Sequence, residues 1–109
     1  MKVLATVATA ALSLIALAPA SQAASFNCSG ALSRTEAAIC ATPRLSALDS
    51  EMAAVHGQLL SVSNADQRRF VAGGQVDWLR KRNSCGAGVG CIAGWHNTRI
   101  FVLHRFLGY

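Results

Sequence analysis

The sequence predicts an all-α fold: a small disulfide-stapled bundle of three longer helices with one short helix ahead of them. Three observations carry that expectation. Leu45, Leu48, Met52, Val55, Leu59 and Val62 recur at intervals of three and four, which draws one apolar stripe down a helical face. No stretch alternates polar and apolar residues with a period of two, so no sheet is predicted. Cys28, Cys40, Cys85 and Cys91 are an even set that can staple a chain whose core alone leaves a thin stability margin.

At the amino terminus, Met1 and Lys2 give a short positive start, and Val3 to Ala18 then runs without a charge. Pro19 breaks the run, and Ser21-Gln22-Ala23 offers small residues of the kind a signal peptidase reads. A membrane-spanning helix needs roughly 20 predominantly apolar residues. This run is shorter and rich in Ala, Thr and Ser, so residues 1–23 are read as a signal peptide and residues 24–109 as one exported domain. No cysteine directly follows the apolar run, so no lipid anchor and no stable membrane attachment are predicted.

The short first helix starts from a capping box. Ser33 and Glu36 can each accept from the other's backbone amide, which predicts a helix over Arg34–Cys40. Thr42 can cap the second helix, and Pro43 suits its first turn, where no amide donor is required. That helix is predicted from Pro43 to about Val62 along the stripe already named. Ser61 to Ala65 reads as a polar connection, with Asp66 capping a third helix that reaches Asn83. Its apolar members are Phe70, Val71, Trp78 and Leu79. Gly73-Gly74 in its middle cost roughly 2 kcal/mol relative to Ala, which predicts a kink or break there. A glycine-rich turn leads to the fourth helix, about Val89 to Leu107, with a stripe of Ile92, Trp95, Arg99, Val102 and Phe106.

Four cysteines allow three connectivities. The pairs Cys28–Cys40 and Cys85–Cys91 are favoured because each is close in sequence and flanks a predicted helix boundary. In the loop-entropy model they contribute about 3 and about 2.5 kcal/mol. A four-thiolate zinc site wants two close pairs of the C-x-x-C type, which these spacings do not supply.

The chemistry-bearing residues point to binding rather than catalysis. There is no G-x-S-x-G, no conspicuous carboxylate pair, and no thiol left free once two disulfides form, so no catalytic residue is assigned. His56, His96 and His104 lack the carboxylate company that a metal site needs, so they read as hydrogen-bonding residues, with no metal and no other cofactor predicted. Asp49, Arg82 and Arg99 fall on core-facing rows of the three long helices. A charge that reaches a core has to be paired, so these three are read as a structural polar tie. The fourth helix is apolar beyond its stripe, and Phe101, Leu107 and Tyr109 are read as a contact surface for a partner or for a second copy in a homodimer.

The whole chain carries a net charge of +5, to which Lys2 contributes one. The balance favours acidic partners or surfaces. The basic residues are scattered, with Arg80-Lys81-Arg82 the one run of three, so no nucleic acid is predicted as a partner.

Ordered segments of the chain resemble a known family. They are Phe26-Asn27-Cys28, Thr35 to Cys40 (TEAAIC), Leu45 to Asp49 (LSALD), Trp78 to Cys85 (WLRKRNSC), Cys91-Ile92 and Arg99-Ile100. Together they resemble the LprI-like lysozyme-inhibitor domain family, small cysteine-containing helical domains of exported bacterial proteins. The resemblance spans nearly all of residues 24–109. It implies a periplasmic or secreted binding protein, with a lysozyme-like hydrolase or another protein of the cell envelope as partner. The alternative is a generic cell-envelope binding or assembly module with no inhibitory activity. The family usually places Tyr where this chain has His56 and His96, a departure that makes these two positions candidates for pH sensitivity.

Overall fold

The computed structural model describes residues 24–109, and the signal peptide expected over residues 1–23 lies outside them. The described residues form four helices and no strand: α1 (Arg34–Ala41), α2 (Pro43–Ser61), α3 (Ala65–Asn83) and α4 (Val89–Leu107). The fold is all-α, as the stripe spacing predicts. Cys28–Cys40 and Cys85–Cys91 are the bonded pairs, with Cα atoms 5.9 and 5.6 Å apart. Two disulfides in so small a domain mark an oxidising, non-cytoplasmic environment. Among the described residues, no helix is long and apolar enough to cross a membrane.

Local sequence explains each helix end. Ser33 and Glu36 close the capping box of α1, with Glu36 N donating to Ser33 Oγ and Ser33 N donating to Glu36 Oε1. Pro43 stands in the first turn of α2, although the Thr42 side chain makes no cap bond. The third helix begins earlier than expected. Asn64, not Asp66, is its cap, because Asn64 and Gln67 form a second capping box. Glycine ends α4 at Gly108, whose φ of 95° suits no bulkier residue, and Tyr109 N donates to the His104 carbonyl.

No break occurs at Gly73-Gly74, and α3 runs unbroken through both. Gly74 instead lets two helices approach. A Cβ there would lie 3.3 Å from Arg99 Nη1, so the missing side chain makes room for a guanidinium of α4.

The core has two apolar clusters. Ala24, Ile39, Leu45, Ile92 and Ala93 form one, with Phe26 and the disulfide cysteines Cys28, Cys40 and Cys85 packed on it. Met52, Val55, Leu59, Val71, Trp78, Ile100 and Leu103 form the other. Leu48 packs against both. α2 lies chiefly on α4, α1 on α2, and α3 on α4. Two hydroxyls fix α1: Thr35 Oγ1 donates to the Gly86 carbonyl at 2.6 Å, and Ser46 Oγ donates to the Ile39 carbonyl at 2.7 Å.

The predicted stripes are corrected in two places. Val62 ends the α2 stripe in sequence but is 69% exposed, because the helix stops at Ser61. On α4 the buried face is Ile92, His96, Arg99, Ile100 and Leu103, rotated from the predicted one. Trp95 and Val102 are half-buried and Phe106 is exposed. The rotation follows from His96, a polar residue that occupies a fully buried position.

Candidate functional site

Between the two apolar clusters lies a polar layer. On α2, Asp49 falls between Leu45 of one cluster and Met52 of the other. On α4, His96 falls between Ala93 and Ile100. Both side chains are fully buried, and His96 Nε2 lies 2.9 Å from Asp49 Oδ1. The other ring nitrogen, Nδ1, lies 2.9 Å from the Ile92 carbonyl. An ionised carboxylate only accepts, so Nε2 donates to it, and the contact of Nδ1 with its own helix fixes that donor in place.

The second carboxylate oxygen is capped from the amino-terminal segment. Ser25 N donates to Asp49 Oδ2 at 2.9 Å, and Ser25 Oγ donates to the same oxygen. Burial by itself would raise the Asp49 carboxyl. The hydrogen bonds from His96 and Ser25 outweigh that and hold it below the ordinary carboxylate value.

Arg82 completes the layer from α3, with Nη1 at 3.9 Å from Asp49 Oδ1. Its Nε and Nη2 donate to Asn83 Oδ1, and its guanidinium lies 5.6 Å from the centre of the Trp78 ring. Burial pulls the guanidinium below its ordinary value, while Asp49 and Glu36 push the other way. Trp78 meets His96 edge to face at 4.9 Å and donates its Nε1 proton to the Trp95 carbonyl at 2.7 Å.

Of the three residues expected to tie together, the structure joins Asp49 with Arg82 and leaves Arg99 apart. Arg99 is buried elsewhere between α3 and α4: Nε donates to Gln75 Oε1 at 2.9 Å, and Nη2 donates to the Val71 carbonyl at 3.4 Å. Its partners are neutral because it lies on α4 one turn beyond His96, the residue that claims Asp49. Neither Ser25 nor His96 stood out in the sequence as a partner of Asp49. They lie 24 and 47 residues from it along the chain. The one local signal was that Asp49 and His96 each occupy a core-facing helical position.

Ser, His and Asp together invite comparison with a hydrolase triad, but the connectivity is wrong for one. The serine hydroxyl donates to the aspartate rather than to the imidazole, and the second imidazole nitrogen is committed to a carbonyl. Among the described residues no base reaches the hydroxyl, so the connectivity is not that of a triad. Among the described residues, no group of three His, Cys, Asp or Glu side chains is placed to hold a metal ion.

The surface offers a groove of about 420 Å³ at the other end of the bundle. The end of α2, the start of α3 and the end of α4 build it from Leu59, Val62, Phe70, Val71 and Phe106, with Ser63, Asp66 and Gln67 as its polar members. Phe70 and Phe106 meet edge to face at 5.9 Å and are 69% and 51% exposed. Both stand on apolar helix rows that the sequence predicts. The contact surface expected from sequence was Phe101, Leu107 and Tyr109. Phe101 and Tyr109 are exposed, Leu107 is half-buried on the core, and none of the three lines the groove. His104 is half-buried, with its ring 5.0 Å from that of Tyr109.

No protein-family model, no curated protein and no solved structure matches this chain.

Proposed function

We propose that this chain is an exported binding protein of the bacterial cell envelope, periplasmic or secreted, that docks a protein partner on the Phe70–Phe106 groove. The observation that carries the reading is the groove itself: two large aromatic rings held in solvent on a small, doubly stapled bundle. Exposed apolar surface of that kind is typical of contact sites.

A lysozyme-like hydrolase is the first partner to test, on the strength of the LprI-like resemblance. The one charged residue among those lining the groove, Asp66, is paired with Arg69, so the groove presents a largely apolar face rather than a charged one. Residues 24–109, purified with both disulfides formed, should slow lysozyme-driven cell-wall lysis in a saturable, salt-dependent way. Phe70→Ser and Phe106→Ser should each weaken that effect about tenfold or more, as loss of an aromatic anchor does. Phe101→Ser, off the groove, should not. Complete absence of inhibition at large excess would leave the cell-envelope assembly module as the reading. Inhibition unaffected by the two groove substitutions would place the contact elsewhere.

A further inference from the structure

A second cluster of buried polar groups, around His56 and Arg99, contains no carboxylate partner among the described residues. His56 is half-buried on α2, and among the described residues its buried Nε2 has no hydrogen-bond partner. Arg99 of α4 is the charged group whose field reaches it, and Gln75 links that guanidinium to Met52, one turn before His56 on α2. Arg99 is itself 7% exposed, and its acceptors are neutral, Gln75 Oε1 and the Val71 carbonyl, both supplied by α3. Gln75 is also committed to α2, with Nε2 at 3.4 Å from Met52 Sδ. One turn either side of His56 on α2 stand Met52, Ala53, Leu59 and Leu60, none of them charged. Asp49, two turns back, is already engaged by Ser25, His96 and Arg82.

Charge on the His56 ring would therefore place a second cation beside a buried first one with no anion to balance either. Arg99 is the hook that holds this stretch of α3, and it lies close against Gly74, which carries no side chain. The interior side chains of α3 are few: Val71, Trp78 and Arg82.

We propose that His56 and Arg99 form an acid-sensitive latch. At neutral pH the uncharged ring lets Arg99 hold Gln75 and the Val71 carbonyl. Protonation of the ring drives the guanidinium off both and loosens α3 from α2 and α4. Burial, and then the charge of Arg99, keep the ring below its ordinary value near 6.5, which agrees with this direction. A base so shifted binds its proton more readily in the unfolded chain, so the stability it contributes is complete above about 6.5 and is lost as the pH falls below that.

The test compares wild type with His56→Leu from pH 7.5 to 5.0, a range that stays above the titration of Asp49. Over that range the wild-type unfolding constant should rise by up to about 30-fold more than that of His56→Leu, the limit set by an imidazole of ordinary value in the unfolded chain. Hydrogen exchange of the α3 amides, corrected for intrinsic rate, should speed up at pH 5.0 in wild type and not in the variant. Nuclear magnetic resonance of the His56 ring in the wild-type protein, which does not depend on the variant folding, should show titration below 6.5, and Arg99→Met should move it upward. An equal pH response in His56→Leu, or a wild-type His56 ring titrating at or above 6.5, overturns the latch.

Discussion

Asp49 shows how a carboxylate can be kept ionised in the middle of a small domain. Each oxygen has its own donors: His96 on Oδ1 from α4, and the amide and hydroxyl of Ser25 on Oδ2 from the amino-terminal segment. Arg82 adds charge from 3.9 Å without a close hydrogen bond. Asp49→Asn preserves the shape and removes the charge. It should cost about 3–5 kcal/mol, the usual penalty for breaking a buried pair by one member. Arg82 and Arg99 then separate cleanly in urea melts. Arg82→Gln should cost less in the Asp49→Asn background than alone, whereas Arg99→Gln should cost the same in both, since it shares no partner with Asp49. The pH dependence has a definite sign. The folded carboxyl lies below its ordinary 3.8, so the stability it contributes is present above pH 3.8 and is lost as the pH falls below that. Acid titration of the folded fraction should show that limb in wild type and lack it in Asp49→Asn.

At the level of the helices, adjacent glycines in α3 have opposite meanings. A Cβ on Gly73 meets open space, so Gly73→Ala gains helix propensity and should stabilise by about 0.5–1 kcal/mol. A Cβ on Gly74 meets the Arg99 guanidinium at 3.3 Å, and that group is tied down by Gln75, so Gly74→Ala should gain less than Gly73→Ala or lose stability. Thermal melts of the two variants make the comparison directly. In sequence the pair signals only a weak point, because propensity is local and the neighbour that uses the gap lies 25 residues on. The same limit explains the rest of what the sequence hid. α2 was legible because Leu45, Met52, Val55 and Leu59 form a stripe of uniformly apolar residues. α3 starts ahead of the Asp66 cap that the sequence suggests, because Asn64 and Gln67 close a capping box there. The buried face of α4 differs from the predicted stripe because His96 is buried against Asp49 of another helix. Phe70 and Phe106 stand on rows that packing leaves bare, since burial depends on whether a neighbouring helix extends far enough to cover them.

The molecule as a whole is stabilised by two apolar clusters separated by a polar layer, and the disulfides attach to the first cluster rather than to the layer. Cys28–Cys40 nevertheless reaches the layer indirectly. It fixes Cys28 to the end of α1, and three residues before Cys28 stands Ser25, the cap on Asp49 Oδ2. Apart from that bond, the segment is held by the burial of Ala24 and the partial burial of Phe26. Removing the disulfide by Cys28→Ser with Cys40→Ser should therefore do two things. It should release about 3 kcal/mol of loop-closure entropy to the unfolded chain, and it should free Ser25 to leave the carboxylate. The second effect is larger while Asp49 is charged, because a carboxylate accepts more strongly than the amide oxygen of an asparagine. The double substitution should then cost measurably less in the Asp49→Asn background than in wild type, a coupling on the order of 1 kcal/mol, comparable to the net value of one hydrogen bond to a charged group. Cys85–Cys91 clamps the turn between α3 and α4 and touches none of the hydrogen-bonding partners of Asp49, so its removal should cost about 2.5 kcal/mol with a smaller coupling. Urea denaturation of the single and combined variants gives both couplings. Equal costs for Cys28–Cys40 in the two backgrounds would show that the amino-terminal segment stays on Asp49 without its staple, held by the packing of Ala24 and Phe26 alone.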